Sequence, residues 1–104
     1  MPKESQTISS EVFTHLKAMR GTLTLALTPL MTYFASNSIG ELDLSKQAIG
    51  ETLTTQDIVN LSQALKSKND ITVLHLQNNQ MTEEAVKNLA EMLKTNHTLE
   101  TLNL

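Results

Sequence analysis

The chain has 104 residues, room for one domain and too few for two hydrophobic cores. It is leucine-rich (17 Leu), 3% aromatic and carries a formal net charge of -3, which argues against a nucleic-acid surface. With no Cys, it excludes disulfides, thiolate zinc sites and cysteine nucleophiles.

The N-terminal stretch 1–10 is polar and lacks an apolar run. Residues 10–20 read as an amphipathic helix, with Val12, Phe13, Leu16 and Met19 on one side and Gly21 as its stop. Residues 22–28 alternate Thr with Leu as a strand would, yet Leu23 and Leu27 also continue the helical spacing of Val12, Leu16 and Met19, so both readings stay open. Thr28-Pro29 reads as a helix start, with Pro at the first helical position. Residues 1–38 are therefore expected to form a mostly helical N-terminal cap. The apolar stretch 23–34 is too short to span a bilayer of ~30 Å. As a secretion signal it has an overlong polar lead. Asn60-Leu61-Ser62 and Asn96-His97-Thr98 match the glycosylation pattern, but no export signal supports their use.

From Ile39 onward the sequence corresponds with itself. Ile39, Leu42 and Leu44 align with Ile71, Leu74 and Leu76, and these in turn with Leu99, Leu102 and Leu104. Leu61 and Leu65 align with Leu89 and Leu93, Ile58 with Val86, and Thr54 with Thr82. The first segment is slightly longer than the second, and its extra length falls between Ile49 and Leu53. Each segment opens with an alternating strand and passes into helical spacing: Ile58, Leu61 and Leu65 after Thr54 or Thr55, and Ala85, Val86, Leu89, Ala90 and Leu93 after Thr82. Thr82 is a good N-cap, Glu83 and Glu84 suit the start of a helix dipole, and Lys94 suits its end.

These residues resemble a leucine-rich repeat of the ribonuclease-inhibitor-like subfamily, with repeats of about 28 residues. The resemblance implies an α/β solenoid, a fragment of a right-handed horseshoe, with short parallel strands on the concave face and helices on the convex face. Residues 39–70 would be the first repeat, 71–98 the second and 99–104 the start of a third. It makes Asn79 a buried structural residue beside core Leu74 and Leu76. Gln47 departs from the pattern at the place of Asn79 in the first repeat.

The same resemblance puts Glu41, Asp43, Ser45 and Lys46, then Thr72, Val73, His75, Gln77 and Asn78, then Glu100, Thr101 and Asn103 on a polar, mildly acidic concave face that binds another protein. Adjacent strands lie ~4.8 Å apart, so Asp43, His75 and Asn103 are expected to form a row. Asp43 beside His75, with Ser45 nearby, suggests a base–orienter pair, but no oxyanion donor or glycine elbow accompanies it, and a non-enzyme is expected. No cofactor and no metal are expected: no two His stand at ligand spacing, and Gly21, Gly40 and Gly50 form no phosphate loop. Two alternatives remain. One is a regulator of a cellular or host enzyme, such as a GTPase-activating or bacterially secreted effector protein, although Arg20 is the only Arg and lies outside the repeats. The other is self-assembly as a homodimer through the strand edge carrying Leu99, Leu102 and Leu104, an edge that a longer chain would cover instead. The expected setting is cytoplasmic, or a host cytoplasm for a secreted effector.

Overall fold

The computed structural model describes residues 2–20, 28–66 and 69–104. The elements run α1 (Pro2–Ala18), α2 (Thr28–Ser36), β1 (Glu41–Asp43), α3 (Lys46–Ile49), α4 (Thr55–Leu65), β2 (Val73–His75), α5 (Glu83–Thr95) and β3 (Thr101–Asn103). The ambiguous segment 22–27 lies outside the described residues. So does the expected stop Gly21.

The three strands form one parallel sheet in the order β1-β2-β3. Leu42 stands opposite Leu74, and Leu74 opposite Leu102. These are the residues that the internal correspondence aligns. The first segment also differs from the second by α3, a single helical turn that ends at Gly50, just before the extra length. Gly50 has a φ of 76° and donates its N–H to the Lys46 carbonyl, a left-handed cap that favours glycine.

One core joins all the elements. Val12, Phe13, Leu16 and Met19 of the N-terminal segment meet Leu30 and Phe34 of α2, the strand leucines, Ile58, Leu61 and Leu65 of α4, and Ala85, Leu89 and Met92 of α5. Helix α1 packs on β1, α3 and α4, closing the β1 side of the sheet, while α4 and α5 lie side by side.

This corrects the expected solenoid. The molecule is a single small α/β domain with five helices among the described residues, and its sheet is neither curled nor closed into a horseshoe. The physical reason lies in the packing. A solenoid stacks equal units that each contact only their neighbours. Here α1 and α2, which have no counterpart later in the chain, enter the same core as the strands, and α3 makes the first segment unlike the second.

The N-terminal helix is bolted to that core by charge. Asp57 is fully buried at the start of α4. Its carboxylate accepts the Thr54 N–H while the Thr54 hydroxyl accepts the Asp57 N–H, a reciprocal capping box. The same carboxylate accepts Arg20 Nε at 2.9 Å and Arg20 Nη2 through its second oxygen. The bidentate bond raises the guanidinium pKa above its ordinary value, against the opposing effect of burial. Arg20 also lies 5.8 Å from the Phe13 ring centroid.

Helices α1 and α2 are tied by Tyr33, whose hydroxyl donates to Glu11 at 2.5 Å and whose ring lies 5.4 Å from that of His15. Burial, then the Glu11 bond and its negative charge, push the phenol up to about 12.

Two outcomes follow from these contacts. Arg20→Ala leaves a buried carboxylate short of its cation and should cost about 2 kcal/mol in chemical denaturation. That lies below the ~3–5 kcal/mol of a fully enclosed pair, because water reaches the guanidinium. Unchanged stability would refute the anchoring role. Tyr33 is the only tyrosine, so its phenolate absorbance titrates alone. Its folded pKa stands above the unfolded ~10. The contribution is therefore complete below pH ~10 and lost as pH rises from there to about 12. The absorbance midpoint should fall toward 10 in Glu11→Gln.

Candidate functional site

The curved concave face expected to carry these residues is absent, because the sheet is not curled. Among the strands a row does exist, but its members differ from the expected Asp43–His75–Asn103. His75 Nε2 lies 2.6 Å from Glu41 Oε2, and Asn103 Nδ2 lies 2.8 Å from His75 Nδ1. Asp43 is opposite His75 in backbone register, yet its carboxylate turns along its own chain. It accepts the Ser45 N–H at 3.0 Å and the Ser45 hydroxyl at 2.6 Å. A carboxylate two positions ahead of a free N–H closes a local turn more readily than it reaches across a sheet. Ser45 is itself buried, so the suggested Asp43–His75–Ser45 chemistry is not assembled.

Of the remaining expected residues, Val73 and Thr101 continue the register of Glu41 on the sheet face opposite Leu42, Leu74 and Leu102, and the others lie outside the strands. Thr72 donates its hydroxyl to the Gly40 carbonyl. Val73 and Thr101 are strand residues in register with each other, and Glu100 precedes β3. Lys46 belongs to α3, and Gln77 and Asn78 lie in the turn after β2, Asn78 with a φ of 63°. Lys46 and Asn78 help line an open polar cleft of about 750 Å³ between the loops, together with Gln47, Thr52, Thr54 and Gln80. The Gln77 side-chain oxygen is buried without a hydrogen-bond partner.

Asn79, expected to be buried, is half-buried and bonds three backbone groups. Its Oδ1 accepts the Leu53 N–H at 2.6 Å, and its Nδ2 donates to the carbonyls of Leu44 and Leu76. One side chain thus satisfies three backbone groups in three stretches of chain. Gln47 sits exposed in α3, and Asn79 supplies the support on both sides. Two further asparagines do comparable work and are not marked by the internal correspondence. Asn69 accepts from the Ile71 N–H and donates to the Leu65 carbonyl. Asn96 accepts from the N–H groups of Thr98 and Leu99 and donates to the same carbonyl. Both stand between a helix end and the next strand, where Asn closes turns, and that position is visible in the sequence.

The surface that stands open is at β3 and α5. Helical spacing groups Ala85, Val86, Leu89, Ala90 and Leu93 on one face. The structure divides them. Ala85, Leu89 and Met92 face the core, while Val86 and Leu93 are each 43% exposed and Ala90 is exposed beside them. Their counterparts one layer earlier, Ile58 and Leu65, are 0% and 1% exposed. The same holds for the strands: Leu104 is 57% exposed where Leu76 is 0%. Leu99 and Leu102 are half-buried, where Ile71 and Leu74 are buried. Strand β3 bonds β2 through the Thr101 N–H and the Asn103 carbonyl. Alternate residues of a parallel strand face opposite neighbours, so the N–H and C=O of Leu102 point to the unpaired side. A groove of about 920 Å³ runs along the first half of α5, lined by Met81, Val86 and Lys87 among others.

No protein-family model matches the chain, and comparison with curated proteins and with solved structures finds no match. The assignment to ribonuclease-inhibitor-like leucine-rich repeats is therefore withdrawn, and with it the enzyme-regulator and effector readings built on it. The concave-face binding mode falls with the curled sheet it needed. Among the described residues no group of three or more His, Asp or Glu could hold a metal ion, and no helix is long and apolar enough to cross a membrane.

Asn79→Ala should cost about 1–3 kcal/mol in denaturant unfolding, the range for leaving buried backbone groups unsatisfied. Asn79→Asp should recover little, since a carboxylate keeps the acceptor for Leu53 and loses both donors. An Asn79→Ala unfolding midpoint indistinguishable from that of the parent chain would show that water replaces the amide.

Proposed function

We propose that this chain is an assembly module, which works by adding another polypeptide to the open side of β3 and α5, and that it pairs there with a second copy of itself. The observation that carries this reading is the contrast in burial. Val86 and Leu93 are each 43% exposed, whereas Ile58 and Leu65, with which they align, are covered. A large aliphatic side chain held in water forgoes ~1.5–3 kcal/mol relative to full burial. Val86 and Leu93 on one side of α5, with an unpaired strand edge at β3, make a surface that a partner would cover.

The reading is non-catalytic. In its support, Ser45 is committed to Asp43 and His75 to Glu41 and Asn103. A cytoplasmic setting belongs to the same proposal. The Asn96 amide nitrogen, the point of attachment in Asn96-His97-Thr98, is spent on the Leu65 carbonyl, so a glycan would break a structural bond.

The test is solution mass by light scattering across a concentration range. The mass should rise from 11.5 kDa toward twice that value. Leu102→Lys should hold it at the monomer. Because Leu102 also packs against the core, Leu93→Lys, on the exposed helix face, is the decisive variant. It should abolish the dimer and leave the circular dichroism spectrum unchanged. A monomer at every concentration, or a dimer indifferent to Leu93→Lys, would overturn the reading.

A further inference from the structure

The open surface is complementary to itself in one orientation. On α5 the exposed strip runs Val86, Ala90, Leu93, at helical spacings of four and three and so on one side of the helix. It is flanked by Glu83 in the first turn and, in the last, by Lys94, whose ammonium also lies 3.4 Å from the carboxylate of Glu91. Lay a second α5 antiparallel against it with Ala90 over Ala90. Val86 then meets Leu93 of the copy, Leu93 meets Val86, and Glu83 approaches Lys94 at both ends. The small residue falls at the crossing, where close approach needs it, and the two helix dipoles oppose. A parallel arrangement instead sets Glu83 against Glu83 and Lys94 against Lys94. The strand obeys the same symmetry. An antiparallel pair with Leu102 opposite Leu102 lets each residue exchange both N–H···O bonds with its copy, using the groups that β2 leaves free. The other edge of the sheet is not available for head-to-tail stacking, because α1 packs on β1.

Resting on the association reading above, we infer that two copies pair about a two-fold axis between Leu102 and its copy and between Ala90 and its copy, joining two three-stranded sheets into one of six strands. The interface is isologous and therefore closes at a dimer.

The absence of Cys makes the geometry directly testable. Ala90→Cys, at an exposed position, should give a disulfide-linked dimer in high yield under mild oxidation. Thr95→Cys should not. In the antiparallel pair its two copies stand roughly 16 Å apart at about 1.5 Å of helix rise per residue, beyond the ~7 Å that a disulfide spans. Charge reversal gives an independent reading. Glu83→Lys and Lys94→Glu should each weaken the dimer roughly 2- to 5-fold, as exposed pairs do, and the double variant should restore it. A chain that dimerises by light scattering, yet cross-links through Thr95→Cys or fails to cross-link through Ala90→Cys, overturns the two-fold arrangement and leaves the association reading standing. A chain monomeric at all concentrations overturns both.

Discussion

A carboxylate shut away from water is costly to the fold unless a cation and hydrogen-bond donors surround it. Asp57 is that group here, and the N-terminal half of the fold is arranged around it. Its oxygens close the first turn of α4 through Thr54 and receive the end of the N-terminal helix through Arg20. The helix start and the docking of α1 are thereby coupled, so that neither can loosen without exposing the other's partner. The only arginine of the chain is spent on this contact, which is bidentate and planar as a lysine's would not be.

Beyond that anchor, the successive layers are joined by amides. Asn79 spans from β2 to the loop before α4, and Asn69 and Asn96 converge on the Leu65 carbonyl at the end of that helix. These bonds hold the loops between elements at a few defined points. They also explain how such short strands hold register. The turns entering and leaving each strand are pinned by side chains, so the strand need not be long to be positioned. The Glu41–His75–Asn103 row adds a cross-strand tie on the sheet surface.

The packing is asymmetric from one side to the other. At β1, helices α1 and α2 bring Phe13, Leu16, Leu30 and Phe34 into the core, and no large apolar side chain described there is exposed. At β3 nothing comparable is in place among the described residues, and the leucines that the recurring spacing brings there stand in water. An open apolar surface of this kind arises without any special chemistry: it is the core spacing recurring where no described element covers it.

Several elements are legible in the residues alone. Alternation marks the strands at Leu42, Leu74 and Leu102, and helical spacing after Thr54 and Thr82 marks α4 and α5, whereas Asn79 is singled out only by the leucine-rich-repeat resemblance. Local spacing and capping decide these, because they depend on near neighbours in the chain. What spacing does not decide is partnership across the chain. The recurring offsets suggest a stack of equal units, but α1, α2 and α3 join the same core and make one closed body on that side. Asp43 and Glu41 lie on the same strand, both within reach of His75. Which one meets the ring depends on whether a nearer donor, here Ser45, claims the carboxylate first. Val86 and Leu93 carry the same apolar signal as Ile58 and Leu65, and only the tertiary structure distinguishes a face that is covered from one that is not. The sequence determined the three strands and the helices α4 and α5, because these follow from local spacing; it showed neither α3 nor the extension of α1 back to Pro2. Burial, pairing and the open surface were decided by which segments, distant along the chain, come to lie side by side.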